Sequence, residues 1–212
     1  MILGSMYVTL GAIVVGVPVG ILTAIFMARF CPDRVYGILK PAVELLAGIP
    51  SVVYGFFGLV VMVPLIREHI GGTGSSMLTA SLLLGMMILP TLISVAEAAL
   101  RAVPNSYYEG ALALGAGHVR SVFFTIVPAA KSGIMAAIIL GMGRAVGETM
   151  AVIMVAGNQA RMPAGLLEGV RTMTTNIVIE MGYAADLHRD ALIATAVVLF
   201  CLLYTSPSPR DY

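Results

Sequence analysis

An arginine and a glutamate stand four residues apart inside one of the most apolar stretches of the chain. Arg144 and Glu148 are the only charged residues of segment 132–157. A central arginine costs about 2.5–3.5 kcal/mol on membrane-insertion scales, and such residues usually face a protein interior or a wet cavity. On a continuous helix the two side chains share a face. Because a guanidinium fork matches oxyanions, we expect an anion site on a transport path here, with Glu148 holding Arg144 in place.

Each of these polar side chains also has a purely structural interpretation. Arg144 and Glu148 could form an internal ion pair that only lowers the cost of burial, although arginine before glutamate is the less favourable order. Thr149 lies beside them and could add a hydroxyl to the path. We favour a hydrogen bond from Thr149 back to its own helix.

Three glycines flank the arginine. Gly141, Gly143 and Gly147 are interpreted as helix-packing residues, since the last two are four positions apart, a step that lets another helix approach closely. A nucleotide-binding interpretation of the run GMGRAVG is weak, because no predicted strand precedes it and it lies inside an apolar segment.

The composition places the whole chain in a membrane. It has 212 residues, of which 11% are charged and 59% hydrophobic, and its mean hydropathy is +0.98. A soluble domain of this size cannot hide so much apolar surface. Disorder, a disulfide scaffold and nucleic-acid binding are excluded, the last because the net charge is only +1. Cys31 and Cys201 are expected to be packing residues, and the three histidines share no metal-ligand spacing, so we expect no metal.

Charge-poor segments predict an all-α, polytopic bundle of transmembrane helices. The segments are 5–28, 45–66, 77–96, 132–157 and 191–205. The last has only 15 residues, about 22 Å of helix against a hydrocarbon core of about 30 Å. Lysine and arginine counts place loops 29–40 and 101–131 in the cytoplasm and loops 67–76 and 158–190 outside.

The two ends of the chain carry expectations of their own. Residues 1–202 are predicted to form a single transmembrane domain of about five spans, and we expect a first span to be missing before Met1. Residues 203–212 are expected to be a non-native tail, because an apolar helix runs directly into YTSPSPRDY with no basic or amphipathic anchor.

The cytoplasmic loop, about 103–131, carries a helix–turn–helix pattern. A short helix is predicted over 107–114, Gly115 breaks it, and a second apolar helix is predicted over 119–127. Two short helices with a glycine between them are typical of a docking element for a soluble partner, and an ordinary amphipathic connector is the alternative.

This loop resembles the coupling motif of ABC importer permeases, in which E-A-A is followed by three residues, a glycine, nine residues and I-x-L-P. The matching residues are Glu109, Ala111, Gly115 and Pro128, whereas Gly110 replaces the middle alanine. The isoleucine and leucine positions hold threonine and valine. The resemblance implies a type I ABC importer permease fold, whose loop sits in a groove of the ATP-hydrolysing subunit. Gly115 then allows a sharp turn, and Glu109 caps or pairs at the interface.

Two further segments, LLAGIPSVVYGFFGL (45–59) and GMGRAVGETMAVIMVAGN (141–158), resemble the PstC-type permeases of phosphate-specific ABC importers. The resemblance implies that phosphate is the anion at Arg144. Glu148 would then keep phosphate from binding too tightly for release. It could also accept a proton from phosphate, which sulfate lacks at neutral pH.

The same resemblance implies a set of partners in the inner membrane of a bacterium or archaeon. They are a second homologous permease chain, a cytoplasmic ATPase dimer, an extracytoplasmic phosphate-binding protein and membrane lipid. The sequence has no GxxxxGK[ST] pattern, so we expect Mg-ATP on the partner ATPase and no cofactor on this chain.

Three other functions were weighed against this one. They are a permease for another oxyanion (phosphonate, sulfate or molybdate), an ATP-independent channel or secondary transporter, and a membrane-embedded phosphate-processing enzyme. The second needs inverted repeats or several buried ionisable residues, and the third needs a nucleophile with its base or a metal cluster. The sequence offers neither pattern, so we expect a transport subunit without catalytic residues.

Overall fold

The structure, a computed structural model, describes residues 1–205. These residues form helices and no strand, with an isolated bridge between Gly157 and Val170. Counting each wide π-type turn as part of its helix, the helices are α1 (Ile2–Phe30), α2 (Asp33–Gly48), α3 (Ser51–His69), α4 (Met77–Ala102), α5 (Asn105–Ala113), α6 (His118–Ala129), α7 (Lys131–Gly147), α8 (Met150–Val155), α9 (Met173–Met181) and α10 (Asp186–Tyr204).

Close contacts divide the chain into two compact units, where the sequence predicts one domain. The first unit comprises Met1–Gly16, Ile49–Ile88 and the described chain from Met142 onward. The second comprises Val17–Gly48 and Leu89–Gly141. Each unit is therefore assembled from segments that are far apart in the sequence.

The predicted polytopic helix bundle is confirmed. Among the described residues, α1, α3, α4 and α10 are each long and apolar enough to cross a membrane. Helices α6 and α7 add a fifth span when they are taken together, although the chain bends by 69° between them. All five apolar segments of the sequence are largely helical, with interruptions in 45–66 and 132–157.

The last span is longer than predicted. Helix α10 begins at Asp186 rather than near residue 191 and has 19 residues. Its first turn holds polar side chains, and an acidic residue there interacts favourably with the helix dipole, so the helix extends beyond its apolar part. The predicted tail 203–212 begins inside α10, which ends at Tyr204. Residues 206–212 lie outside the described part of the chain.

The prediction of one continuous helix over 132–157 is wrong. Helix α7 ends at Gly147 and α8 begins at Met150, so Glu148 and Thr149 belong to neither helix. The carboxylate of Glu148 accepts hydrogen bonds from backbone N–H groups at the start of α8. A side chain that caps a helix N-terminus in this way competes with continuation of the preceding helix.

The second predicted span, 45–66, is broken at a proline. Helix α2 ends at Gly48 and α3 starts at Ser51. Pro50 precedes α3 with an extended ψ of 141°, and it has no N–H to donate to a preceding turn. Pro41, by contrast, remains inside α2.

In the first unit, α3 lies directly against α8 through two glycines. A Cβ placed on Gly55 would lie 2.9 Å from the Cα of Ala151. A Cβ on Gly58 would lie 2.8 Å from a methyl group of Val155. Such distances leave no room for a side chain, so the contact depends on both glycines.

In the second unit, a small apolar core joins the end of α1, α2 and α4. Met27, Val43 and Ile93 are buried together there. Helix α7 packs against α4 in the same unit, with Gly133 placed against the side chain of Ala99. A Cβ on Gly133 would overlap the Cβ of Ala99, because no torsion can move either atom away.

This contact leads to a test of helix packing. Gly133→Ala should lower the melting temperature of the protein in detergent, since overpacking of this kind costs about 1–3 kcal/mol. Gly37→Ala in α2 is the matched control, because no described atom lies within 4 Å of the added Cβ. That change should stabilise the helix by about 0.5–1 kcal/mol.

The melting temperature can be followed by size-exclusion chromatography of heated samples. Adding Ala99→Gly to Gly133→Ala should restore much of the loss. A Gly133→Ala protein that melts with the wild type would contradict the packing of α7 on α4.

Candidate functional site

The loop predicted to be cytoplasmic, about 103–131, forms two helices joined by a glycine turn. Helix α5 (Asn105–Ala113) and helix α6 (His118–Ala129) cover the two stretches that the sequence pattern assigned to helices. Glu109, Gly110, Gly115 and Pro128 are exposed, and Ala111 is half-buried. The residues of the predicted motif therefore stand on an accessible surface of the second unit.

Gly115 makes the turn possible. Its φ is +83°, a conformation that side chains other than glycine rarely adopt. The N–H of Gly115 donates to the carbonyl of Leu112 at 2.8 Å, and the N–H of Ala116 donates to the carbonyl of Ala111 at 3.1 Å. These bonds satisfy carbonyl groups in the last turn of α5. They have the pattern of a Schellman C-cap, in which the residue that ends the helix has a positive φ.

Aromatic and imidazole rings fasten α5 to the start of α6. The Tyr108 hydroxyl and the His118 Nδ1 are 2.8 Å apart. The His118 ring also meets the ring of Phe30 edge-on, with centroids 4.8 Å apart. The last turn of α1 and both loop helices are thus in contact within the second unit.

An arginine at the end of α1 bridges α4, α5 and the residues that connect them. One Nη of Arg29 donates to the carbonyl of Leu100 at 2.8 Å and to the carbonyl of Val103 at 3.3 Å. Its other Nη reaches the Asn105 Oδ1 at 3.4 Å. The guanidinium therefore contacts the last turn of α4, the connecting residues and the first residue of α5.

A buried carboxylate lies one turn earlier on α4. The side chain of Glu97 is only 2% exposed. Its Oε1 accepts hydrogen bonds from the Tyr36 hydroxyl at 2.8 Å and from the Arg101 Nε at 2.6 Å. Its Oε2 accepts one from the Lys40 Nζ at 2.7 Å. We call Tyr36, Lys40, Glu97 and Arg101 the Glu97 cluster.

Two members of the Glu97 cluster, Tyr36 and Lys40, lie on α2, outside the membrane-spanning helices. The carboxylate of Glu97 changes the pKa of both side chains. The hydrogen bond to Glu97 raises the pKa of Lys40 above its ordinary value. The same kind of bond raises the pKa of Tyr36. Both shifts favour the protonated, hydrogen-donating forms of Lys40 and Tyr36.

Arg144, the predicted anion-binding residue, lies on α7 close to the end of that helix. Its side chain is exposed on the described chain. It lies near enough to Tyr54 of α3 for an electrostatic interaction. Tyr54 was not singled out by the sequence analysis, because its spacing from Arg144 in the chain carries no local signal.

Glu148 and Thr149 occupy the break between α7 and α8. The Glu148 Oε1 accepts hydrogen bonds from the N–H of Thr149 at 3.1 Å and of Ala151 at 3.2 Å. The carbonyl of Glu148 accepts a bond from the Thr174 hydroxyl at 3.1 Å, which ties the break to α9. The Thr149 hydroxyl donates to the Gly147 carbonyl at 3.3 Å, the local bond favoured from the sequence. The prediction that Glu148 continues the face of Arg144 on one helix is therefore wrong.

The three glycines around Arg144 differ in their surroundings. A Cβ on Gly141 would lie 3.3 Å from the side chain of Leu92. For Gly143 and Gly147, no described atom lies within 4 Å of the added Cβ. Close packing at the Gly143–Gly147 step thus stays a prediction, because no described residue packs against it.

Loop 158–190, which the charge counts predict to lie outside, contains an arginine network. Arg171 donates to the carbonyl of Asn158 at 2.9 Å and to a carboxylate oxygen of Glu180 at 2.6 Å. Hydrogen bonds from Tyr183 and Arg171 lower the pKa of Glu180. Helix structure in this loop begins at Met173.

Comparison with known proteins identifies the family. The family described as "Binding-protein-dependent transport system inner membrane component" matches residues 16–207. The "Probable ABC transporter permease protein YqgH" of Bacillus subtilis is 40% identical over 206 residues, which cover 96% of this chain and 67% of that protein. The "Phosphate transport system permease protein PstC" of Haemophilus influenzae is 33% identical over 221 residues, with 95% and 70% covered. The chain thus spans about two thirds of these relatives.

Solved transporters share the fold. An inward-facing structure of the MetNI methionine ABC transporter matches with a TM-score of 0.67 and 21% identity, over 95% of this chain and 86% of that one. An amino acid ABC transporter matches with a TM-score of 0.67 and 17% identity, over 96% and 86% of the two chains. These matches confirm the fold of a type I ABC importer permease.

The sequence similarity, the helical fold and the presence of several membrane-spanning helices all indicate the same family. The chain belongs to the family of binding-protein-dependent transport system inner membrane components: it is a multi-pass permease subunit of an ABC importer, and the ATPase activity of the transporter lies in a separate subunit.

Proposed function

We propose that this permease subunit imports inorganic phosphate, and that Arg144 contacts the anion during translocation. The observation that carries the proposal is an exposed guanidinium on α7, in which every other residue after Lys131 is uncharged. PstC phosphate permeases at 31–34% identity over most of the chain support the choice of anion. A guanidinium offers paired N–H groups that fit two phosphate oxygens.

Glu148 is proposed to act beside Arg144 from a fixed position. Its carboxylate is anchored by two backbone N–H groups at the start of α8. It therefore supplies negative charge near the break rather than on the face of α7. Such a charge weakens anion binding enough to allow release, and it can accept a proton from phosphate but not from sulfate.

The helix pair α5–α6 is proposed to couple the permease to ATP hydrolysis. It is exposed, and it carries the predicted motif residues on both sides of the Gly115 turn. Docking of this turn in a groove of the ATPase subunit would transmit nucleotide-driven motion to the spans, giving alternating access. The working complex would hold two homologous permease chains, two ATPase chains with Mg-ATP, and an extracytoplasmic phosphate-binding protein.

The phosphate site is tested by uptake of labelled phosphate into cells that lack other phosphate importers. With the transporter assembled from this chain and its partners, Arg144→Gln should reduce uptake at least about tenfold, since a charge-assisted bond contributes about 1.5–3 kcal/mol. Arg161→Gln is the matched control, because Arg161 is 64% exposed in the outer loop and makes only a loose ion pair. It should transport like the wild type.

Uptake retained by Arg144→Gln would contradict contact between Arg144 and phosphate. An assembled wild-type complex that takes up sulfate, molybdate or a phosphonate instead of phosphate would overturn the choice of substrate.

Two substitutions separate the cap from the charge at Glu148. Glu148→Gln keeps an oxygen that can accept from the backbone of α8, and Glu148→Ala removes it. Glu148→Gln should therefore assemble normally but lose discrimination between phosphate and sulfate in competition uptake. Glu148→Ala should also lower the melting temperature, because loss of a helix cap costs about 0.5–2 kcal/mol. Unchanged discrimination in Glu148→Gln would exclude the proton-accepting role.

The coupling role is tested at the glycine of the turn, Gly115. Gly115→Ala places a Cβ on a residue with φ +83°, a strain of order 1–3 kcal/mol. Copurification of the ATPase subunit should fall several-fold, and ATP-driven uptake with it. Gly37→Ala on α2, outside the loop and also with open space around its Cβ, should leave both unchanged. Equal ATPase binding by the two variants would contradict docking through the Gly115 turn.

A further inference from the structure

We propose that Glu97 is a positioning residue for energy coupling: it makes α2 move together with the start of α5. The proposal rests on α5 as the helix that docks on the ATPase. The residues between α4 and α5 connect α5 to the spans, so they transmit a force applied to α5. The Glu97 cluster lies on the α4 side of this connection and restricts movement of α2 relative to α4.

The contacts of Glu97 join two helices that are far apart in sequence. Tyr36 and Lys40 donate from α2, and Arg101 donates from the last turn of α4. Three donors within 2.8 Å occupy both carboxylate oxygens of a side chain that is 2% exposed. The carboxylate therefore holds α2 on α4 at a defined position rather than by sliding apolar contact.

Arg101 extends the network to α1. Its Nη2 donates to the carbonyl of Met27 at 3.0 Å. Its guanidinium also lies 4.3 Å from the centre of the Tyr36 ring, a cation–π distance. Because Arg101 is held by Glu97, loss of the carboxylate would loosen α1, α2 and α4 together.

Arg29 carries the network across the joint into α5. Its bonds to the carbonyls of Leu100 and Val103 and to the Asn105 side chain span the two connecting residues, 103 and 104, at which α4 could otherwise hinge against α5. The end of α1, which carries Arg29, is the same segment that Arg101 contacts. Displacement of α5 should therefore carry the ends of α1 and α4, and α2 through Glu97, as one body.

Compensation of the positive charge of Lys40 does not by itself explain why Glu97 is buried between two helices, because a second acid, Glu44, also lies near Lys40. Lys40 also has Glu44 at 3.9 Å, but Glu44 is 62% exposed and lies on α2 itself. An ion pair within α2 cannot fix α2 to another helix. Buried ion pairs add little stability compared with apolar packing, whereas they can specify geometry. Glu44 therefore provides a matched control for the loss of one negative charge beside Lys40.

The proposal is tested by the distance between spin labels on α2 and α5. Labels are placed at the exposed positions Ile38 and Ser106 in the assembled transporter, with Cys31 and Cys201 replaced by serine. Pulsed electron paramagnetic resonance is recorded without nucleotide and with ATP trapped by vanadate. The wild type should give one narrow distance distribution that is the same in both states.

Glu97→Gln should broaden this distribution, and the broadening should increase with trapped ATP. Glu44→Gln should leave it as in the wild type, and Glu97→Asp should restore part of the order, since it keeps the charge. In proteoliposomes, Glu97→Gln should continue to hydrolyse ATP while the phosphate imported per ATP falls about 2- to 30-fold, the range by which residues of such networks alter coupling.

A narrow distribution in Glu97→Gln, or a wild-type distance that changes with ATP, would overturn the proposal. If Glu97→Gln does not assemble, Tyr36→Phe decides, because it removes one hydrogen bond to Glu97 and keeps the ring under Arg101; an unaltered distribution and an unaltered transport ratio would then reject the role. The label distances do not depend on the transported ion, so failure of the phosphate assignment would leave this test intact.

Discussion

Every break in a helix of this protein needs its own hydrogen-bond partners, because the hydrocarbon core of a membrane has no water to satisfy a peptide group. The chain meets this constraint in different ways. Glu148 supplies a carboxylate to the first N–H groups of α8. Pro50 stands where a peptide N–H would otherwise lack a partner before α3. Thr172 caps α9 through the N–H of Thr175. At each of these three positions, the sequence thus provides for backbone N–H groups at the start of the following helix.

The close contacts within each unit follow from the same constraint. Helices that satisfy their own backbone gain little from hydrophobic burial against one another in lipid, so they associate by close packing at small residues. Gly55 and Gly58 bring α3 onto α8, and Gly133 brings α7 onto α4. The sequence pointed instead to Gly143 and Gly147, which face open space on the described chain. Small residues mark surfaces for packing without showing which partner occupies them.

The sequence was sufficient for features that are local along the chain. Apolar length predicted the spans, and spacing around Gly115 predicted the helix pair α5–α6, because a single residue with positive φ ends one helix and starts a turn. The break at Glu148 was missed because the capping group is a carboxylate that equally suits a helix surface. The Glu97 cluster was missed for another reason: Tyr36 and Lys40 lie 61 and 57 positions away from Glu97, and no periodicity connects them. Only one ion pair of the cluster, Glu97–Arg101, has the four-residue spacing that can be recognised along a helix.

The charged residues singled out in the two units differ in burial and in their proposed roles. In the second unit, Glu97 is enclosed and saturated by three donors, which suits a group that must hold helices rigidly while a partner pushes on them. In the first unit, Arg144 is exposed at the end of α7, which suits a group that must bind an ion and then release it, since tight enclosure would trap the ion. Burial, rather than residue type, thus distinguishes the charge proposed to hold helices together from the charge proposed to contact the substrate. The two charges lie on different helices, α4 and α7.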